Sequence, residues 1–122
     1  MSSPVTYADR FLLRKAAIVR RVPPDRQIEL SKLLHYHQLD MKALAASESL
    51  PYYFSDMNDA DDQSLAVTEC ASDGILEISS NNRVSRTRTG ELFLRSLEPR
   101  LVTMLDEIPM SLEDLLDYLA MQ

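Results

Sequence analysis

The stretch at residues 73–97, DGILEISSNNRVSRTRTGELFLRSL, constrains this chain more than any other part of it. Gly74 ends whatever helix precedes it, because glycine supplies the left-handed conformation of a helix C-terminus. Ile75, Leu76 and Ile78 form a short apolar run, and Ser79, Ser80, Asn81 and Asn82 form a polar turn. Residues 83–86 then alternate arginine with small or β-branched residues. This pattern predicts a two-stranded hairpin, with Asn81-Asn82 tolerating the positive φ of a tight turn. Thr87 or Thr89 caps a following helix whose apolar positions are Leu92, Phe93, Leu97 and Leu101.

The chain has only two glycines in 122 residues. That argues against phosphate-cradling loops and against a sheet-rich fold with many tight turns. The length suits one domain with one core. No apolar run is long enough to cross a bilayer, and MSSPVTYADR lacks the charged-then-apolar order of a signal peptide. Cys70 is the single cysteine, so an intrachain disulfide is impossible. These features lead us to expect a cytoplasmic protein. The net charge of −6 is unevenly spread: residues 1–39 carry +4, 40–79 carry −8, 80–100 carry +3 and 101–122 carry −5. Overall acidity disfavours loose nucleic-acid binding, but the local basic patch survives.

Ahead of the hairpin, residues 1–6 read as a tail, and a helix begins at Tyr7 with Phe11 and Leu12 apolar. It runs to about Lys15 and either continues towards Val22 or turns extended near Ala17. Pro23-Pro24 ends it in either case. A second helix is expected over 25–37, with Ile28, Leu30, Leu33 and Leu34 as its buried stripe. Asp40 would cap a short third helix at 41–46. Tyr52, Tyr53 and Phe54 form an aromatic cluster before the acidic run 56–62, and a helix is expected over 60–72. After the hairpin we expect a helix over 90–107, bent by Pro99. A last helix starts at the capping-box-like Ser111. Its leucines, Leu112, Leu115, Leu116 and Leu119, share one face. They are candidate interface residues, for this chain's own helix or for a homodimer. The sum predicts a mainly α, winged-helix domain with a small two-stranded wing and a C-terminal helix. The pair 25–37 and 40–47 would be its helix-turn-helix. The expected core is Ile28, Leu33, Leu34, Leu44, Leu65, Ile75, Leu76, Leu92, Phe93 and Leu97.

The order Asp73-Gly74-Ile75, Thr87-Arg88-Thr89-Gly90 and Leu92-Phe93-Leu94-Arg95 resembles the C-terminal domain of oxygen-independent coproporphyrinogen III oxidase. Leu33-Leu34-His35-Tyr36-His37-Gln38-Leu39-Asp40 and Pro24-Asp25-Arg26 look like that domain's earlier helices. The likeness spans about residues 24–101. The family's chemistry resides in a radical SAM barrel whose C-x3-C-x2-C motif holds an iron–sulfur cluster. One cysteine cannot supply three thiolates. The phenylalanine-aspartate pair expected near Leu101-Val102 is missing, and Pro99 is an addition. The resemblance therefore implies a free-standing, non-catalytic relative of the accessory domain, binding a partner protein or a porphyrin in tetrapyrrole (haem) biosynthesis. A winged-helix DNA-binding regulator is the alternative, with Lys42 as the only cation on the 40–47 helix.

Few constellations carry chemistry. His35 and His37, at i and i+2, diverge on a helix and would give at most two ligands. Met41 nearby raises an axial haem-ligand reading, against which surface or core packing is the commoner fate of such residues. Arg83, Arg86, Arg88 and Arg95 are candidate ligands for DNA phosphate or porphyrin carboxylates, or else a solvated face paired with residues 56–62. Cys70 reads as a small buried hydrophobe. No catalytic spacing or calcium loop appears, so we expect no metal, no cofactor and no enzyme activity.

Overall fold

The computed structural model describes residues 7–46 and 60–106. The expected tail, the loop with its aromatic cluster, the side chain of Leu44 and the 111–121 segment lie outside the described residues and side chains. The architecture is mainly helical with a small antiparallel sheet. Its elements are α1 (Tyr7–Arg20), β1 (Ile28–Glu29), α2 (Leu30–Ala46), α3 (Ala60–Ser72), β2 (Leu76–Ile78), β3 (Arg83–Arg86), α4 (Arg88–Arg95) and α5 (Pro99–Asp106).

α1, like α2, contributes to both core clusters. Its Leu13, Ala16 and Ala17 pack with Met41, Leu101 and Leu105. Its Ile18 and Val19, with Val22 just beyond, pack with Ile28, Leu33, Tyr36, Val67, Cys70, Leu76 and Val84. The helix therefore reaches Arg20. Arg21 N–H and Val22 N–H then donate to the carbonyls of Ile18 and Val19, a tightened last turn before the prolines.

Three expectations need correction here. The segment expected as a helix from Asp25 is instead a turn followed by β1, which makes the sheet three-stranded in the order β1-β3-β2. Ile28 lies opposite Val84 and Glu29 opposite Arg83. Two residues are too few to show alternation in a sequence. Second, the break expected at Leu39-Asp40 is absent: α2 runs unbroken through it. Third, the single bent helix over 90–107 is two helices. Ser96 caps α4, and Pro99 opens α5, where its missing N–H costs nothing. The helix at 60–72 matches expectation. Of the expected core, Leu65 and Leu92 are each 55% exposed, so they leave the list.

The hairpin follows the expected local chemistry. Gly74 has φ +79°. Its N–H donates to the Ala71 carbonyl and that of Ile75 to the Cys70 carbonyl, closing α3 with a Schellman motif. Asn82 takes φ 59° in the β2–β3 turn. Ser79 N–H donates to Arg83 O at 2.8 Å and Asn82 N–H to Ser79 O at 3.0 Å. Thr87 is the N-cap of α4, its hydroxyl accepting from Gly90 N–H at 3.0 Å and donating to Gly74 O at 2.6 Å. That cap presses α4 onto the end of α3. A Cβ on Gly90 would lie 2.2 Å from the Ile75 carbonyl oxygen, a backbone atom that cannot step aside. Gly90→Ala should therefore cost about 1–3 kcal/mol, read as a lowered midpoint in urea unfolding; an unchanged midpoint would show that α4 does not sit against Ile75.

Candidate functional site

The four arginines singled out from the sequence do not converge on one point. Arg83 opens β3, and its guanidinium is 3.9 Å from Glu29 across the sheet, in a pair that is exposed on both sides. Exposed pairs of this kind contribute little to stability. Arg86, at the other end of β3, points inward. It donates to Glu91 at 2.6 Å, to the Val22 carbonyl at 2.6 Å and to the Arg20 carbonyl at 3.3 Å. Its guanidinium ties the hairpin and α4 to the end of α1. Arg88 and Arg95 are exposed on α4. Seven residues apart, they share a helix face.

Sequence reasoning missed the most heavily buried polar groups, which lie between α1 and α2. Arg21 donates to both carboxylate oxygens of Asp40, at 3.0 and 2.5 Å. The two side chains are 3% and 1% exposed. The Arg21 guanidinium also lies over the Tyr36 ring, 5.1 Å from its centroid. This planar, two-pronged arrangement is the one arginine forms with carboxylates in dry surroundings. A signal did exist. Leu33, Tyr36, His37, Asp40 and Met41 recur at helical spacing, so Asp40 stands on the buried stripe of α2 and needs a cation there.

One turn earlier on α2, His37 Nε2 accepts from Arg14 Nε–H at 3.2 Å. That bond requires a lone pair on Nε2, so the ring is neutral and carries its proton on Nδ1. His37 Nδ1 is buried without a hydrogen-bond partner among the described residues. Burial, with the positive charge of Arg14 second, pushes the His37 pKa down to about 3. His35, two residues away, is exposed, so the two imidazoles diverge as their spacing requires. Among the described residues no group of three His, Cys, Asp or Glu could hold a metal ion. Cys70 is buried and its thiol is pushed up to about 12, which keeps it protonated and unreactive.

The surface offers a shallow cleft between α1 and α3 of about 50 Å³, lined by Phe11, Arg14, Lys15, Leu65, Ala66 and Glu69. Its walls are apolar at Phe11, Leu65 and Ala66 and of mixed charge at the rim. Lys15 also reaches Asp73 at 2.6 Å, an exposed tie between α1 and the end of α3. No described helix is long and apolar enough to cross a membrane. No family model, curated protein or solved structure matches the chain.

A buried neutral histidine makes stability depend on pH with a definite sign. The folded value of about 3 lies below the ordinary 6.5, so the unfolded chain binds the extra proton between them. The contribution is present above pH 6.5 and is lost as pH falls towards 3, by up to about 1.4 kcal/mol per pH unit. His37→Gln should flatten this part of the pH dependence in urea unfolding; parallel curves for the two proteins would contradict the buried neutral ring.

Proposed function

We propose that this chain is a non-catalytic winged-helix module that works by binding a partner protein. The helix-strand-helix-helix-hairpin order, with β3 central in the sheet, supports the winged-helix reading. In helix-turn-helix proteins the second helix of the pair lies in the DNA major groove. Here that position falls to α3, not to the 40–47 segment. The observation that carries the proposal is the sequence of α3, ADDQSLAVTECAS, with three carboxylates and no lysine or arginine. A helix of that charge repels phosphate. Its exposed Leu65, beside the α1–α3 cleft, suits an apolar anchor on a protein surface instead.

The resemblance of residues 24–101 to the accessory domain of oxygen-independent coproporphyrinogen III oxidase favours a partner among the enzymes of tetrapyrrole metabolism. A porphyrin held in the α1–α3 cleft is the weaker ligand reading. Pockets that enclose molecules of that size run to about 300–1,000 Å³, far above the 50 Å³ of the cleft.

The DNA-binding regulator remains the second reading, favoured by the exposed Arg83, Arg88 and Arg95 around the wing. A gel-shift assay with random duplex at low salt separates the two, because phosphate-led binding is strongest there. We expect no retardation. We expect titration calorimetry to detect binding of the oxidase's catalytic barrel and not of haem or coproporphyrinogen, with Leu65→Glu weakening the former. Duplex retardation that fades as salt rises would establish the regulator reading, and a silent barrel titration would remove the link to the oxidase.

A further inference from the structure

Two leucines, each 55% exposed, stand on surfaces of opposite charge. The first is Leu92 on α4. Phe93 and Leu94, with Leu97 just beyond, pack against the core, so Leu92 projects from the opposite face. Arg88 lies four residues before it and Arg95 three after, which puts all three on that face. Both arginines are exposed, and neither makes a hydrogen bond or ion pair among the described residues. Glu91, the one carboxylate of α4, is taken up by Arg86.

The second is Leu65 on α3. With Phe11 and Ala66 it forms the apolar wall of the cleft between α1 and α3. At about 50 Å³ the cleft takes the end of one aliphatic side chain and is too small to enclose a ligand. Its two cations are occupied: Lys15 is held by Asp73 at 2.6 Å, and Arg14 is buried against His37. Glu69, four residues after Leu65, is exposed and makes no hydrogen bond or ion pair among the described residues. α3 has no lysine or arginine, and its opening residues, ADDQ, are acidic.

Each surface supplies what the other lacks. α4 offers one apolar knob between two unpaired cations, and α3 offers an apolar dent beside an unpaired carboxylate. Laid antiparallel with Leu92 over the dent, the two helices bring Arg88 to Glu69, because one lies four residues before its leucine and the other four after. Arg95 then faces the acidic first turn of α3. Antiparallel helices also set their dipoles in the favourable sense. Within one chain both leucines stay exposed, so the pairing needs a second copy.

We propose that two copies of this chain associate about a two-fold axis, with α4 of each laid over the α1–α3 cleft of the other. Every copy carries both surfaces, so the contact forms twice and the assembly closes as a dimer. The inference rests on the reading of the α1–α3 side as a protein-binding surface and names a second copy as its occupant in the free protein.

Sedimentation of the full chain over a range of concentrations tests it. We expect a species of twice the mass of one chain. Leu92→Glu or Leu65→Glu should raise its dissociation constant about tenfold or more. Arg88→Glu and Glu69→Arg should each weaken the dimer, and the two together should return it to within about threefold of the original. All four residues are exposed, so far-UV circular dichroism should show each variant still folded. A chain that stays monomeric overturns the proposal. So do assemblies larger than a dimer, a dimer indifferent to both leucine variants, or a doubly reversed chain no tighter than either single reversal. A monomer that still binds the oxidase's barrel overturns this inference alone. A dimer with the expected sensitivities but no barrel binding upholds it and removes only the link to the oxidase.

Discussion

The buried pair of Arg21 and Asp40 is the interaction on which the arrangement of this domain depends. Taking both charges out of water is costly, and the two-pronged contact offsets that cost only while α1 and α2 hold one relative position. The pair stands at a junction. On either side of Arg21, the carbonyls of Arg20 and Val22 receive the guanidinium of Arg86 from β3. The Arg20 side chain reaches the last turn of α5. Three residues at the end of α1 therefore meet α2, the hairpin and α5. Asp9, near the other end of α1, takes both prongs of Arg100 in α5, at 2.8 and 2.9 Å. Hydrophobic burial supplies the driving force for this fold, and these polar contacts select its geometry.

How much of this was legible in the sequence depends on whether the cause was local. The end of α3 at Gly74 was readable, and the positive φ and the α4 cap were readable to within two residues, Asn81 or Asn82 and Thr87 or Thr89, of which the fold uses Asn82 and Thr87. The 60–72 helix was readable for the same reason. β1 was not, because two residues become a strand only when β3 lies beside them. Asp40 misled because an aspartate after an apolar run has the local chemistry of an N-cap. Its actual role depends on Arg21, nineteen residues away and just past the end of another helix. Pro99 was read as a bend within one helix, when a proline is equally at home as the first residue of a new one. Leu65 and Leu92 were assigned to the core as apolar positions of their expected helices, although leucines on a surface are common.

The functional reading turns on the same distinction. A cluster of arginines in sequence suggests an anion site, yet a residue's neighbours decide what it does. Arg86 is held by two backbone carbonyls and a carboxylate, and Arg83 faces Glu29. The exposed apolar features among the described residues include the cleft beside Leu65, and Leu92 between two arginines. Both suit contact with protein. Neither His37 nor Cys70 offers reactive chemistry, since one is kept neutral and the other protonated by burial.

The central claim is that the Arg21–Asp40 pair fixes the geometry of the domain, and a double-mutant cycle in urea unfolding tests it most directly. Asp40→Ala leaves a guanidinium buried without its charge partner and should cost about 3–5 kcal/mol, a large share of the stability of a domain this size. Arg21→Met combined with Asp40→Ala removes both charges and should recover much of that loss. If Asp40→Ala costs less than about 1 kcal/mol, or if the double variant is destabilised by the sum of the two single changes, the pair is a bystander and the account is wrong.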